Sequence, residues 1–183
     1  MPKLKNNPTE KKPLPKLKNF ISKQRIARKI RAMGKLISHD YGNSPFVMVI
    51  LTKGAIIFAS DLMRKITSPI QLELVSARSY KGEKSTGNVV INPDIRVDLK
   101  GRRVLIVDEI LDTGKTMNKV ISFIRKMHPL EIRTCVLLDK PARRTEKIKP
   151  DYSGFEIPDE FVIGYGLDFD EYCRNLPDIM IAK

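Results

Sequence analysis

The stretch Val104-Leu105-Ile106-Val107-Asp108-Glu109-Ile110-Leu111-Asp112-Thr113-Gly114-Lys115-Thr116 narrows the possible folds of this chain more than any other. Four consecutive apolar residues, two of them valine, predict a strand buried on both faces, the habit of a parallel sheet. The run ends in two carboxylates. A short polar turn follows, Asp112 to Gly114, and then a segment from Lys115 to Met127 whose apolar residues suit a helix. In an open α/β sheet, ligands gather at the carboxyl ends of such strands. Backbone N–H groups at Thr113 to Thr116 would face into the turn, and the helix adds its positive end, so a phosphate is the expected guest. Gly114-Lys115-Thr116 matches the close of a P-loop, but the glycine required five residues earlier is Glu109 here. On spacing alone, Asp112 and Thr113 could also do no more than cap the helix.

The rest of the chain repeats the pattern. Ile26, Ile30, Met33 and Ile37 recur at spacings of four, three and four, predicting a helix from about Phe20 to Ser38 with Lys and Arg on its outer face. Asp40 to Pro45 reads as a turn and Phe46 to Leu51 as a buried strand. Thr52-Lys53-Gly54-Ala55 then opens a helix to about Lys65, a second strand, tight loop and helix. Ile70 to Ala77 alternates as a strand with one wet face would. The polar run Arg78 to Gly87 predicts a mobile loop, and Val89 to Ile91 a short returning strand. Ile132 to Leu138 is a further buried strand ending at Asp139-Lys140-Pro141, and Phe161 to Gly166 a last strand breaking into a glycine-rich loop. Strands alternating with helices predict an α/β fold with a doubly wound, mainly parallel sheet flanked by helices.

A chain of 183 residues fits one domain, and its 42% apolar content allows a core. No apolar run approaches the roughly 20 residues of a membrane span. Two cysteines and two histidines are too few for a structural zinc cluster. A reducing, cytoplasmic setting is therefore expected. The net charge of +13 is uneven: residues 1 to 31 hold eleven Lys or Arg against Glu10 alone, leaving +3 for the remainder. Residues 1–19 are expected to form a flexible basic tail, able to touch nucleic acid, and residues 20–183 the folded domain.

The central thirteen residues resemble the signature of the type I phosphoribosyltransferases: a hydrophobic strand, two acids, two apolar residues, then Asp-Thr-Gly-Lys-Thr. Three further segments resemble the hypoxanthine-guanine branch in the same order. They are Thr52-Lys53-Gly54, then Ser79-Tyr80 with Ser85-Thr86-Gly87, and then Phe161-Val162-Ile163-Gly164-Tyr165-Gly166-Leu167-Asp168 with Arg174-Asn175-Leu176-Pro177. The resemblance implies the type I fold with a mobile lid loop and a small hood region, working as a homodimer or homotetramer in purine salvage. The reaction implied is Mg2+-dependent transfer of a phosphoribosyl group from 5-phosphoribosyl 1-diphosphate to a 6-oxopurine, with release of pyrophosphate.

The resemblance also assigns roles. Thr113, Gly114, Lys115 and Thr116 would hold the 5′-phosphate, with Asp108 and Glu109 at the ribose and, together with Asp168, near the metal. Lys53, Gly54 and Arg174 would hold pyrophosphate, often with a non-proline cis peptide at Lys53. Asp112 would be the general base at purine N7. Lys140 would donate to the 6-oxo group, Phe161 would stack on the base, and Val162 and Asp168 would meet its edge. Ser79 and Tyr80 would close as a lid. Where Glu109 stands the family usually has Asp. Two other readings remain at this stage: an RNA-binding regulator on the same fold, and a xanthine-preferring enzyme.

Overall fold

The computed structural model describes residues 15–79 and 89–183. The strands follow from the apolar runs. β2 (Phe46–Thr52), β3 (Ile70–Ser79), β4 (Val89–Asp94), β5 (Arg103–Leu111), β6 (Glu131–Asp139) and β7 (Tyr152–Glu156) form a six-stranded sheet in the order β4-β3-β2-β5-β6-β7. All neighbours are parallel except β3 and β4. Successive residues of a strand point to opposite faces, and β2 shows it clearly. Phe46, Met48 and Ile50 enter a core with Ile26, Ile30 and Ile37 of α1 (Lys23–Tyr41) and Phe58 and Leu62 of α2 (Ala55–Met63). Val47, Val49 and Leu51 enter a second core, with Met117, Val120 and Ile124 of α3 (Lys115–Arg125). Burial on both faces is why β2 and β5 read as unbroken apolar runs.

The doubly wound α/β sheet is thus as expected. From β2 the chain winds through α2 to β3, and from β5 through α3 to β6, in opposite directions along the sheet. The loops after β2 and β5 therefore part over one crevice, the place where such sheets bind ligands.

Several boundaries differ from the sequence reading. Phe20 does not start the first helix: Leu17–Ile21 is a strand, β1, and the helix begins at Lys23 behind an N-cap at Ser22. The expected boundary between residues 19 and 20 falls inside that strand. Asp40 and Tyr41, read as turn, complete α1. β1 pairs antiparallel with β9 (Ile179–Ala182), and β9 with β8 (Val162–Ile163), making a separate three-stranded hood. The strand expected from Phe161 to Gly166 is thus two residues long and lies in the hood. The strand closing the main sheet is β7, which the reading missed.

β3 also runs on to Ser79, so the loop expected from Arg78 starts later. Tyr80 and Ser85 to Gly87 lie outside the described residues. The faces of β3 are inverted against the pattern. Leu72 and Leu74 are exposed, whereas Glu73 is buried and accepts a hydrogen bond from the Arg96 N–H at 3.0 Å.

At the sheet edge away from the crevice, a polar cluster pins α1 to β5, β6 and β7. Asp40 accepts from the Tyr152 hydroxyl at 2.8 Å and from Arg133 at 3.1 Å. Glu131 pairs with Arg133 at 2.6 Å and with Arg103 at 2.8 Å, and the Arg103 guanidinium lies 4.2 Å from the centre of the Tyr41 ring.

Candidate active site

Four segments meet at the crevice, each delivered by the end of a strand. β5 brings Asp108 and Glu109, the second carboxylate pointing across to the loop after β2. That loop has a cis peptide between Thr52 and Lys53. A Cβ on Gly54 would fall within the Glu109 carboxylate, and a Cβ on Gly166 would overlap the Gly54 carbonyl oxygen. Only glycines allow β5, the β2 loop and the hood loop to stack this closely. The Glu109 N–H donates to Asp108 Oδ1 at 2.9 Å. Burial pushes the Asp108 carboxyl well above its ordinary range, and the Glu109 charge adds to the rise; burial raises Glu109 too. A cation brought to the two acids would favour their charged forms.

Beyond Leu111 the chain turns through Asp112, Thr113 and Gly114 into α3. Gly114 adopts φ +89° at the N-cap, and a Cβ there would press on Ile148 and Glu146. The Thr113 carbonyl accepts from the N–H groups of Thr145 and Glu146 at 3.0 and 3.1 Å. The Lys115 N–H donates to Thr113 Oγ1 at 3.4 Å, so the turn caps its own helix while the positive end of α3 faces the crevice, as suits an anion.

On β6, the Lys140 N–H donates to the Leu111 carbonyl at 3.0 Å, which ties the two strand ends together. The Lys140 side chain is buried rather than solvated. Its ammonium donates to the Glu160 carbonyl at 2.9 Å and lies 3.2 Å from Asp159. Asp112 Oδ1 is sealed from water and accepts no hydrogen bond, although Arg143 Nε lies 3.1 Å away. Phe161 is 53% exposed and meets Phe169 edge-on, 6.3 Å between ring centres, so it is a surface ring and not core. Val162 is buried, and the Phe161 carbonyl before it accepts from Ala182 of the hood at 2.9 Å.

The hood loop completes the ring of charge. Arg174 pairs with Asp168 at 2.9 Å and donates to the Gly166 carbonyl at 2.8 Å. Lys53 pairs with Glu171 at 2.8 Å. The Tyr165 hydroxyl donates to Asp61 of α2, which anchors the loop over Gly54.

The crevice therefore gathers Lys53, Gly54, Asp108, Glu109, Asp112 to Thr116, Lys140, Phe161, Val162, Asp168 and Arg174. Ser79 ends β3, the parallel neighbour of β2, and Tyr80 lies outside the described residues. Asp108, Glu109 and Asp168 do not converge into a metal-binding group of three among the described residues.

Sequence reasoning missed Arg144. Its guanidinium donates to the carbonyls of Asp112, Leu111 and Ile148 at 2.9, 3.0 and 2.7 Å and pairs with Asp139, clamping the turn from below. The signal was a pair of arginines just past the strand end, where a loop would more often carry one.

The Phosphoribosyl transferase domain family matches residues 17–170. The chain is 41% identical over 170 residues to the hypoxanthine-guanine phosphoribosyltransferase of Aquifex aeolicus, covering 92% of this chain and 96% of that one. It superimposes on the hypoxanthine-guanine phosphoribosyltransferase of Bacillus anthracis with a TM-score of 0.87 at 35% identity, over 92% and 100% of the two chains. For the hypoxanthine phosphoribosyltransferase of Staphylococcus aureus the TM-score is 0.86, at 35% identity over 91% of each. The fold and crevice are those of a type I phosphoribosyltransferase. Within that class, the chain belongs to the hypoxanthine phosphoribosyltransferase family of enzymes.

Proposed function

We propose that this enzyme serves purine salvage, transferring the phosphoribosyl group of 5-phosphoribosyl 1-diphosphate to hypoxanthine, guanine or both, giving IMP or GMP and pyrophosphate. The observation that supports this reading is the Asp112 carboxylate at the crevice, 40% exposed in its side chain and held at Oδ1 against Arg143 at 3.1 Å. A carboxylate with one oxygen against a guanidinium keeps further acceptor sites, and the N7–H of a 6-oxopurine is a donor that suits them.

In this reading the bond from C1′ to pyrophosphate breaks as purine N9 bonds to C1′, and Asp112 takes the N7 proton as general base. The N–H groups at the start of α3, with Thr113 to Thr116, hold the 5′-phosphate. Asp108 and Glu109 face the ribose and stabilise positive charge developing there. Lys53, Gly54 and Arg174 receive the pyrophosphate. Lys140 donates to the 6-oxo group, which rejects adenine because the adenine amino group would leave the ammonium unpaired. Phe161, already exposed, stacks on the base, while Val162 and Asp168 meet its far edge. Ser79 and Tyr80 belong to the lid.

The paired carboxylates suit Mg2+, which takes one or two side-chain carboxylates and fills its shell with substrate oxygens and water. Asp108 and Glu109 are the residues that would hold it, with Asp168 on the hood loop near by but not converged on the pair, and the ion would neutralise the diphosphate. We further assign the enzyme to the cytoplasm as a homodimer or homotetramer. The apolar pair Leu72 and Leu74, exposed on β3, supports self-association; sedimentation as a monomer at micromolar concentration would exclude it.

The test of the activity is pyrophosphate release with Mg2+ and the donor, supplying hypoxanthine, guanine, xanthine and adenine separately. Turnover with hypoxanthine or guanine and none with adenine is expected. Turnover with xanthine alone, or with adenine, would overturn the assignment.

A further inference from the structure

The 3-10 turn Pro141–Arg143 carries a second arginine to the crevice, beside the clamp residue Arg144. Arg143 Nε lies 3.1 Å from Asp112 Oδ1, and its Nη1 lies 3.6 Å from Asp159 Oδ1. The same Asp159 oxygen is 3.2 Å from the Lys140 ammonium. Asp112, Arg143, Asp159 and Lys140 thus form a line of alternating charge that joins the two ends of the purine site.

The two arginines do different work. The guanidinium of Arg144 is taken up by Asp139 and three backbone carbonyls, one of them Asp112's own, so it fixes the main chain of the turn. Arg143 is the cation that faces the Asp112 carboxylate. It does so without an angled N–H, since Oδ1 is sealed from water and still accepts no hydrogen bond. The Asp112 side chain is 40% exposed, and its one sealed oxygen is the one that faces the guanidinium. A carboxylate has about four lone-pair sites, so contact with the guanidinium at one oxygen leaves acceptors for an incoming N–H.

Resting on the reading of Asp112 as the base, we propose that Arg143 is a positioning residue: it balances the charge of Asp112 at Oδ1 and sets the carboxylate's rotation, leaving the exposed part of the side chain to the purine. Asp159 holds Arg143 from the other side, so that the guanidinium can lean on Asp112 without closing over it. Arg143 acts through Asp112 and touches no reacting atom.

The test compares Arg143→Gln, Arg143→Lys, Asp112→Asn and the double variant Asp112→Asn/Arg143→Gln. Their kcat and both Michaelis constants are measured with hypoxanthine at saturating Mg2+, and thermal melting checks folding. Arg143→Gln should lower kcat by about 10-fold or more with the KM for the donor changed less than about 3-fold. Arg143→Lys, which keeps the charge, should recover most of that loss. In the Asp112→Asn background the Arg143 substitution should cost less than about 2-fold, because a residue acting through Asp112 has nothing further to lose. An Arg143→Gln enzyme at full kcat, or one losing the same factor in both backgrounds, would overturn the inference while leaving an impaired Asp112→Asn enzyme as support for the base. Full activity in Asp112→Asn would overturn the base assignment and this inference with it.

Discussion

The carboxylate of Glu109 occupies the volume that a Cβ on Gly54 would need. An Asp would be one methylene shorter, and the longer side chain here reaches Gly54 in the loop after β2. Gly54→Ala should therefore reduce kcat/KM for the donor by about 100-fold or more, by pushing the loop, Glu109 or both out of place. Glu109→Asp in the same chain should restore at least about 10-fold of that loss, since it vacates the contested space. Steady-state kinetics against donor concentration would decide the matter. A double variant no better than Gly54→Ala would mean that the collision is not the cause.

Lys140 is buried with its ammonium near two acceptors, and we assign it to the 6-oxo group. Lys140→Met keeps the bulk and removes the donor. The KM for hypoxanthine should rise by about 10-fold or more while that for the donor moves less than about 3-fold. Parallel increases in both constants would sink the assignment.

Arg144 and Asp139 are both largely buried, 13% and 15% exposed in their side chains. Removing one partner of such a pair leaves the other charged and unmatched, at about 3 kcal/mol or more. Arg144→Gln should accordingly melt about 6 °C or more below the parent. Because the clamp also holds the Leu111 and Asp112 carbonyls, kcat should fall as well. Unchanged melting would show the pair to be solvent-screened.

The Asp40 cluster should govern acid stability. The Tyr152 hydrogen bond holds the Asp40 carboxyl below its usual range, against burial, and Arg133 assists; for Glu131, burial is outweighed by hydrogen bonds from Arg103 and Arg133. Groups depressed in the folded state contribute stability above their ordinary values, near 3.8 and 4.5, and lose it as pH falls through the folded values. Asp40→Asn should thus be less stable than the parent at pH 7, with the gap narrowing below about pH 4. Urea unfolding at several pH values reads this directly, and a gap that widened towards acid would contradict it.

How much of this was legible depended on whether the partner of a residue lay near it in the chain. β5, its turn and α3 could be read because their burial, charge and capping are all set within one unbroken stretch, Arg103 to Arg125. β1 could not. Leu17 to Asn19 are flanked by lysines and look unable to pack, and what orders them is β9, some 160 residues further on. β3 misled for another reason: its alternation is real, but period two does not say which face is inner, and Glu73 is kept inside by an N–H from Arg96. Arg143 and Arg144 bear on Asp112 through space, across the gap between β5 and β6, which no local pattern records. Phe161 gave the opposite lesson. A phenylalanine at a strand start reads as core, and its exposure became visible only once β8 was seen to lie at the edge of the hood.

The pairing of β1 with β9 also sets an order of events in the cell. Residues 17–21 leave the ribosome early but find their partner only when residues 179–182 have followed. Until then β8 lacks its neighbour too, and Phe161 and Val162 hang from an unfinished edge. The main sheet, with its phosphate turn, could take shape on a nascent chain. Loss of residues 179–182 would therefore unmake the hood, and with it the proposed purine contacts, while the main sheet kept all its strands.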